Sequence, residues 1–173
     1  DGSRIFNAAA ALDAPVSRLV ASVDTVTFCL SKGLAAPVGS IVGGRSATID
    51  RARQMRKLLG GAMRPAGVIA AAGIVGLEQM VERLPEDHAN ARRLAEGVAS
   101  LQHISLDLDT VQTNIVFFDI EPPFTGEMVA AGLQADGVRL TAFGSRTLRF
   151  VTHYAVSRED VERVLLVMKR ILA

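Results

Sequence analysis

The chain has 173 residues, long enough to bury a core of ordinary size as one domain, or one domain with a small companion. Its composition, 49 % hydrophobic and 21 % charged, is that of a globular protein, and a net charge of +1 argues against a nucleic acid or anionic membrane recognised by bulk charge. A single cysteine, Cys29, rules out a disulfide within the chain, and with no basic leader ahead of an apolar run the expected location is cytoplasmic.

Strand and helix signals alternate along the chain, the pattern of an α/β or α+β protein. Thr25–Leu30 and Val38–Val42 are short, β-branched apolar runs expected to form strands covered on both faces. Ser46–Leu59 places Ile49, Ala52, Met55, Leu58 and Leu59 at helical spacing, and Gly60-Gly61 stops it. Pro65 suits the first turn of a helix running to about Leu84. Within it, Ala66–Leu77 reads as a buried helix, far short of the ~20 residues of a membrane span. Pro85 opens a further helix with Leu94, Val98 and Leu101 on one face.

Beyond Leu101 the texture changes. Ser105–Asp109, Asn114–Ile120, Val138–Ala142 and Thr147–His153 read as strands, and Glu127–Gln134 and Arg158–Leu172 as helices laid on one face of the sheet. The last helix opens on Ser157-Arg-Glu-Asp160, a capping-box start with Asp160 in place of the usual Glu or Gln. A boundary is expected at residues 84–86, with the tail of a larger domain before it (1–84) and a small α+β domain after it (85–173).

Two residues stand out chemically. Lys32 is the sole charge between Thr25 and Gly44, flanked by Phe28, Cys29 and Leu30 before and Leu34 and Ala35 after. A lysine at the end of a buried strand keeps its amine out of bulk water, which favours the neutral nucleophile; a solvated surface lysine is the commoner alternative. Arg149 sits in Thr147–His153, where alternation puts Leu148 and Phe150 on one face and Arg149, Val151 and His153 on the other. Its planar fork could hold a carboxylate at two points, or its stem could simply carry the charge to water. His153 reads as structural. Three histidines and one cysteine, scattered, form no metal-ligand pattern, and neither GxGxxG, GxxxxGK[ST] nor GxSxG occurs.

Four segments together carry a resemblance. They are Asp1-Gly-Ser-Arg4; Ser31-Lys32-Gly33 at a strand end; the turn Pro37-Val-Gly-Ser40; and Arg149-Phe-Val-Thr-His153. In this order they resemble the C-terminal half of the low-specificity threonine aldolases, pyridoxal-phosphate (PLP) enzymes of fold type I. The resemblance implies the fold, α/β: the C-terminal part of a large PLP-binding domain followed by a small α+β domain. It implies that Lys32 is the Schiff-base lysine and that Asp1 holds the pyridine nitrogen protonated, with Arg4 beside it. Lys57 and Arg64 then lie near the cofactor phosphate, and Arg149 binds the α-carboxylate of an amino-acid substrate. The implied reaction is cleavage of a β-hydroxy-α-amino acid, such as threonine, to glycine and an aldehyde, in a homo-oligomer (dimer or tetramer). The family's phosphate-cradling turn and the histidine that stacks on the pyridine ring precede these segments, so the 173-residue chain by itself is expected to be inactive. Two rival readings are another fold-type-I lyase of the aromatic β-eliminating kind, and a chain that only folds or associates.

Overall fold

The computed structural model describes all residues, Asp1–Ala173, and divides them into two compact units, Asp1–Leu84 and Pro85–Ala173.

In the first unit two short helices, α1 (Ile5–Ala11) and α2 (Val16–Leu19), precede a two-stranded antiparallel sheet of β1 (Thr25–Cys29) and β2 (Ser40–Gly44). The register runs from Thr25 opposite Gly44 to Cys29 opposite Ser40. Two longer helices follow, α3 (Ser46–Leu58) and α4 (Gly67–Gln79). Leu30, Leu34 and Ala36 form a small buried core, against which Phe6, Phe28, Met80 and Val81 pack. The Phe6 and Phe28 rings meet edge to face, 5.3 Å between centroids.

Two expectations need correcting here. The β1–β2 pair is not covered on both faces: Ile41 and Val42 are exposed, because no third strand or helix closes over them within the unit. Nor is the apolar run in α4 buried. Val68, Ile74 and Val75 are exposed, and of this helix only Gly73 and Gly76 are buried. Small side chains let that helix approach its neighbours closely while its larger ones point away. The helix is also shorter than expected, ending at Gln79, and the next begins at Leu84, one residue before Pro85.

The second unit is a four-stranded antiparallel sheet in the order β3 (Ile104–Ser105), β4 (Ile115–Ile120), β6 (Thr147–Val151), β5 (Thr141–Phe143). Three helices, α5 (Leu84–Ala99), α6 (Gly126–Ala135) and α7 (Arg158–Ile171), all send apolar residues to one face of it. Val116, Phe118, Ile120, Leu148 and Phe150 from the sheet meet Leu94 and Val98 of α5, Val129 and Leu133 of α6, and Val161 and Met168 of α7. Each such side chain, fully buried, stabilises the fold by about 1.5–3 kcal/mol. The Ser157–Asp160 capping box is fully formed: Asp160 N donates to Ser157 Oγ at 3.1 Å and Ser157 N to Asp160 Oδ2 at 2.9 Å.

Three strand ends differ from the sequence reading, each for a local reason. Only Ile104 and Ser105 of the first strand pair, because the Asp107 carboxylate accepts from Asp109 N and turns 108–110 into a 3₁₀ helix. The next-to-last strand starts at Thr141, not Val138. Gly137 (φ 77°) ends α6 in a Schellman turn, with Gly137 N bonded to Gln134 O and Val138 N to Leu133 O, so Val138 belongs to that turn. The final strand stops at Val151, because His153 enters a turn in which its carbonyl accepts from Val156 N.

Candidate active site

Lys32 lies in the turn that follows β1, between two core residues. Leu30 N donates to Gly39 O, Ala36 N to Leu30 O, and Ala35 N to Lys32 O at 3.0 Å, so the turn is closed by three backbone bonds. Ala35 adopts a positive φ of 57° inside it. The surroundings leave little room. A methyl group placed on Gly33 would meet the side chain of buried Asn7 from α1, and one on Gly76 would lie 2.9 Å from Leu34 O. A methyl on Gly73 would likewise meet Leu30 Cδ1 at 2.8 Å. Gly76 thus brings α4 against the backbone of the turn, while Gly73 and Gly33 make room for the side chains of Leu30 and Asn7.

The backbone of Lys32 is fixed, yet its side chain is exposed, against the expectation of an amine kept from water. Burial along the strand end stops at Leu30, and Ser31 and Lys32 turn outward before Leu34 returns to the core.

Asp1–Arg4 runs alongside β1 in the same direction: Gly2 N donates to Thr27 O at 2.8 Å, and Cys29 N to Ser3 O at 3.3 Å. Asp1 Oδ1 accepts from both Ser3 N and Ser3 Oγ, and Arg4 is the N-cap of α1. The structure therefore sets Asp1 and Arg4 on a segment beside β1 and Lys32 on the turn that continues β1, with two short helices in the connection where one was expected. Lys57, in the last turn of α3, and Arg64, between α3 and α4, are exposed, and neither side chain forms a hydrogen bond or ion pair.

In the second unit, Arg149 lies at the middle of a row across three strands, opposite Phe117 of β4 and Thr141 of β5, on the sheet face away from the helices. Its guanidinium carbon is 5.0 Å from the Phe143 ring centre and 5.9 Å from that of Phe117. Its Nη2 donates to Thr141 Oγ1 at 3.2 Å, while Nε is buried without a hydrogen-bond partner. No carboxylate of the chain pairs with it. The strand is pinned beyond Val151 by buried Thr152, whose N donates to Asn114 O, whose O accepts from Asn114 Nδ2, and whose Oγ1 donates to Asp87 O. His153 uses its Nδ1 to accept from Ala155 N, a turn role.

The beta-eliminating lyase family matches this chain over residues 1–121. The chain belongs to that family. Among its relatives, the low specificity L-threonine aldolase of Escherichia coli (strain K12) is 42 % identical over 95 % of this chain and 47 % of its own length. Low-specificity L-threonine aldolase 1 of Arabidopsis thaliana is 41 % identical over 95 % of this chain and 47 % of its own. The chain thus spans about half the length of the curated relatives it matches. Among solved structures, an L-allo-threonine aldolase candidate from Listeria monocytogenes superposes with a TM-score of 0.79 at 16 % identity, over 99 % of this chain and 51 % of that one. Serine palmitoyltransferase of Sphingomonas wittichii does so with 0.70 at 22 % identity, over 90 % of this chain and 41 % of that one. The fold is the mixed α/β fold of the C-terminal half of fold-type-I PLP enzymes, as the sequence motifs implied.

The sequence reading missed Phe117, Phe143 and Thr141, because what joins them to Arg149 is strand register, which no local motif carries. It also missed Asn7, whose only outward signal was a polar residue inside an apolar stretch.

Proposed function

We propose that this chain supplies the lysine and the carboxylate-binding arginine of a PLP enzyme that cleaves a β-hydroxy-α-amino acid, threonine or allo-threonine, to glycine and an aldehyde. The observation that carries the reading is Arg149. Its guanidinium packs against two rings on an uncovered sheet face, with a buried donor unsatisfied and no acid of its own chain beside it. A buried N–H left without an acceptor is costly, and the rest of the guanidinium, partly exposed and without a counter-charge, is open to an anionic ligand.

The donor set suits the cofactor. Lys32 offers an accessible amine on a rigid turn, Asp1 a carboxylate on the segment running beside the same strand, and Lys57 and Arg64 cations with no partner in the chain. In this reading Lys32 holds the cofactor, Asp1 keeps its ring nitrogen protonated with Arg4 alongside, and Lys57 and Arg64 answer the phosphate charge. When bound, the cofactor supplies the sink for the electron pair of the breaking Cα–Cβ bond. Arg149 fixes the α-carboxylate by two parallel bonds, and so fixes the orientation of that bond. The β-hydroxyl proton passes to a base outside the residues assigned here, the aldehyde leaves, and Cα takes up a proton to give glycine.

Exposed apolar residues on α3 and α4, among them Leu58, Leu59, Val68 and Ile74, support a homo-oligomer. Residues 1–84 would then be part of the cofactor-binding domain and 85–173 the small domain, and the free thiol of Cys29 suits a cytoplasmic setting.

The test is product analysis on the native-length protein that carries this chain, with PLP added. Threonine should yield glycine and acetaldehyde in equal amounts. Ammonia and pyruvate from an aromatic amino acid, with threonine untouched, would establish β-elimination instead.

A further inference from the structure

Phe117 and Phe143 occupy an odd position for large apolar side chains. Both lie on the face of the second unit's sheet opposite its core, and both remain nearly half exposed, 45 % and 46 %. They contribute nothing to the layer in which Phe118 and Phe150 stack under the helices. Their rings instead lean on each other, 5.5 Å apart and tilted by 55°, with the Arg149 guanidinium against both.

The three side chains are held by the register. Phe117 stands directly across from Arg149, while Phe143 is paired with Thr147 and so reaches Arg149 on the diagonal. Thr141, across from Arg149 on the other side, takes one N–H of Nη2. The consequence lies in which donors stay available. Nε is closed off from solvent and unpaired, whereas Nη1 is not among the buried atoms and has no partner. The guanidinium can therefore offer a ligand its outer edge, Nη1 together with the second N–H of Nη2, and not its Nε side.

We propose that Phe143 and Phe117 are positioning residues for Arg149, holding its guanidinium in the plane that presents this outer edge to a carboxylate. The inference rests on the carboxylate role proposed for Arg149. An aromatic face attracts a cation where an aliphatic side chain of similar bulk does not, an effect of about two- to thirtyfold in an equilibrium constant. The rings also remove the rotamers in which Arg149 would extend into water, so less freedom is lost when the ligand binds.

Two measurements test this on Phe143→Leu, Phe143→Tyr and Phe117→Leu, with Arg149→Lys alongside. The first is glycine affinity and the KM and kcat for threonine in the native-length, PLP-loaded protein. Phe143→Leu should weaken glycine binding and raise KM by about five- to tenfold, with kcat changed less, and Phe143→Tyr should restore most of the affinity. The second needs no cofactor: hydrogen exchange of the Arg149 Nε–H by nitrogen-15 NMR in the native-length protein without PLP. It should be slow in the wild type and in Phe143→Tyr, and fast in Phe143→Leu. Because both rings are exposed on a solvent-side face, these variants should fold; if Phe143→Leu does not, Phe117→Leu gives the same comparison. Loss of glycine affinity in Arg149→Lys with none in either Phe→Leu variant would overturn the inference and leave the carboxylate role standing. Unchanged glycine affinity in Arg149→Lys would overturn that role, and this inference with it.

Discussion

A methyl group on Gly33 would lie 2.5 Å from Asn7 Oδ1, so any larger residue after Lys32 has to displace a buried side chain from α1. The close approach sets the direction in which the turn leaves β1. Gly33→Ala should therefore lower stability by about 1–3 kcal/mol, the usual cost of overpacking. In a double-mutant cycle with Asn7→Ala, measured by urea unfolding, the two changes should be clearly non-additive, because removing the amide makes room for the methyl. Strict additivity would mean that the two side chains do not meet.

The second contact on this turn comes from α4. Gly76→Ala would press a methyl against Leu34 O at 2.9 Å, a backbone atom that cannot swing aside. Gly67, in the same helix, has nothing within 4 Å of its would-be methyl. Gly76→Ala should destabilise by about 1–3 kcal/mol, whereas Gly67→Ala should be neutral or stabilise by up to about 1 kcal/mol. Equal effects in thermal or urea unfolding would refute the close packing of α4 on the turn.

Lys32, Lys57 and Lys169 are the chain's three lysines, which makes chemical mapping simple. Borohydride added to the PLP-loaded, native-length protein fixes the cofactor irreversibly to whichever amine it has joined. The label should be recovered on the peptide carrying Lys32. Recovery on Lys57 or Lys169 would sink the assignment.

How much of this was legible beforehand depended on the range of the interaction. Alternation around Arg149 was correct because a strand's period of two is local, and Ser157–Asp160 was correct because a capping box spans four residues. The exposure of Lys32 and of α4 was misread: apolar neighbours show that a segment seeks a partner, not that this chain supplies one. Val138 looked like a strand residue because its β-propensity is real, yet Gly137 commits it to closing α6. Phe117 and Phe143 could not be joined to Arg149 at all without knowing which residues stand opposite one another.

His88, half-buried on α5, has its pKa lowered from the ordinary 6.5 by burial, with neighbouring Asp87 acting in the opposite direction. The unfolded chain therefore takes up this proton before the folded one does. The neutral ring's contribution to stability is fully present above about pH 6.5 and is lost as pH falls through the lower folded-state value. Urea midpoints should drop between about pH 7.5 and pH 5, and His88→Gln should flatten that part of the profile. A His88→Gln profile parallel to the wild type would assign the drop to other groups.

The apolar interior is unevenly shared. One cluster draws sixteen buried residues from Ala91 to Leu172, while the turn bearing Lys32 rests on three, Leu30, Leu34 and Ala36. Amides of β4, β6 and α7 should then exchange with deuterium only through global unfolding, and those around Lys32 through a shallower, local opening. The turn beneath the exposed lysine can thus breathe on a timescale of its own, so that the direction in which its amine points would change in excursions that leave the sheet bearing Arg149 undisturbed.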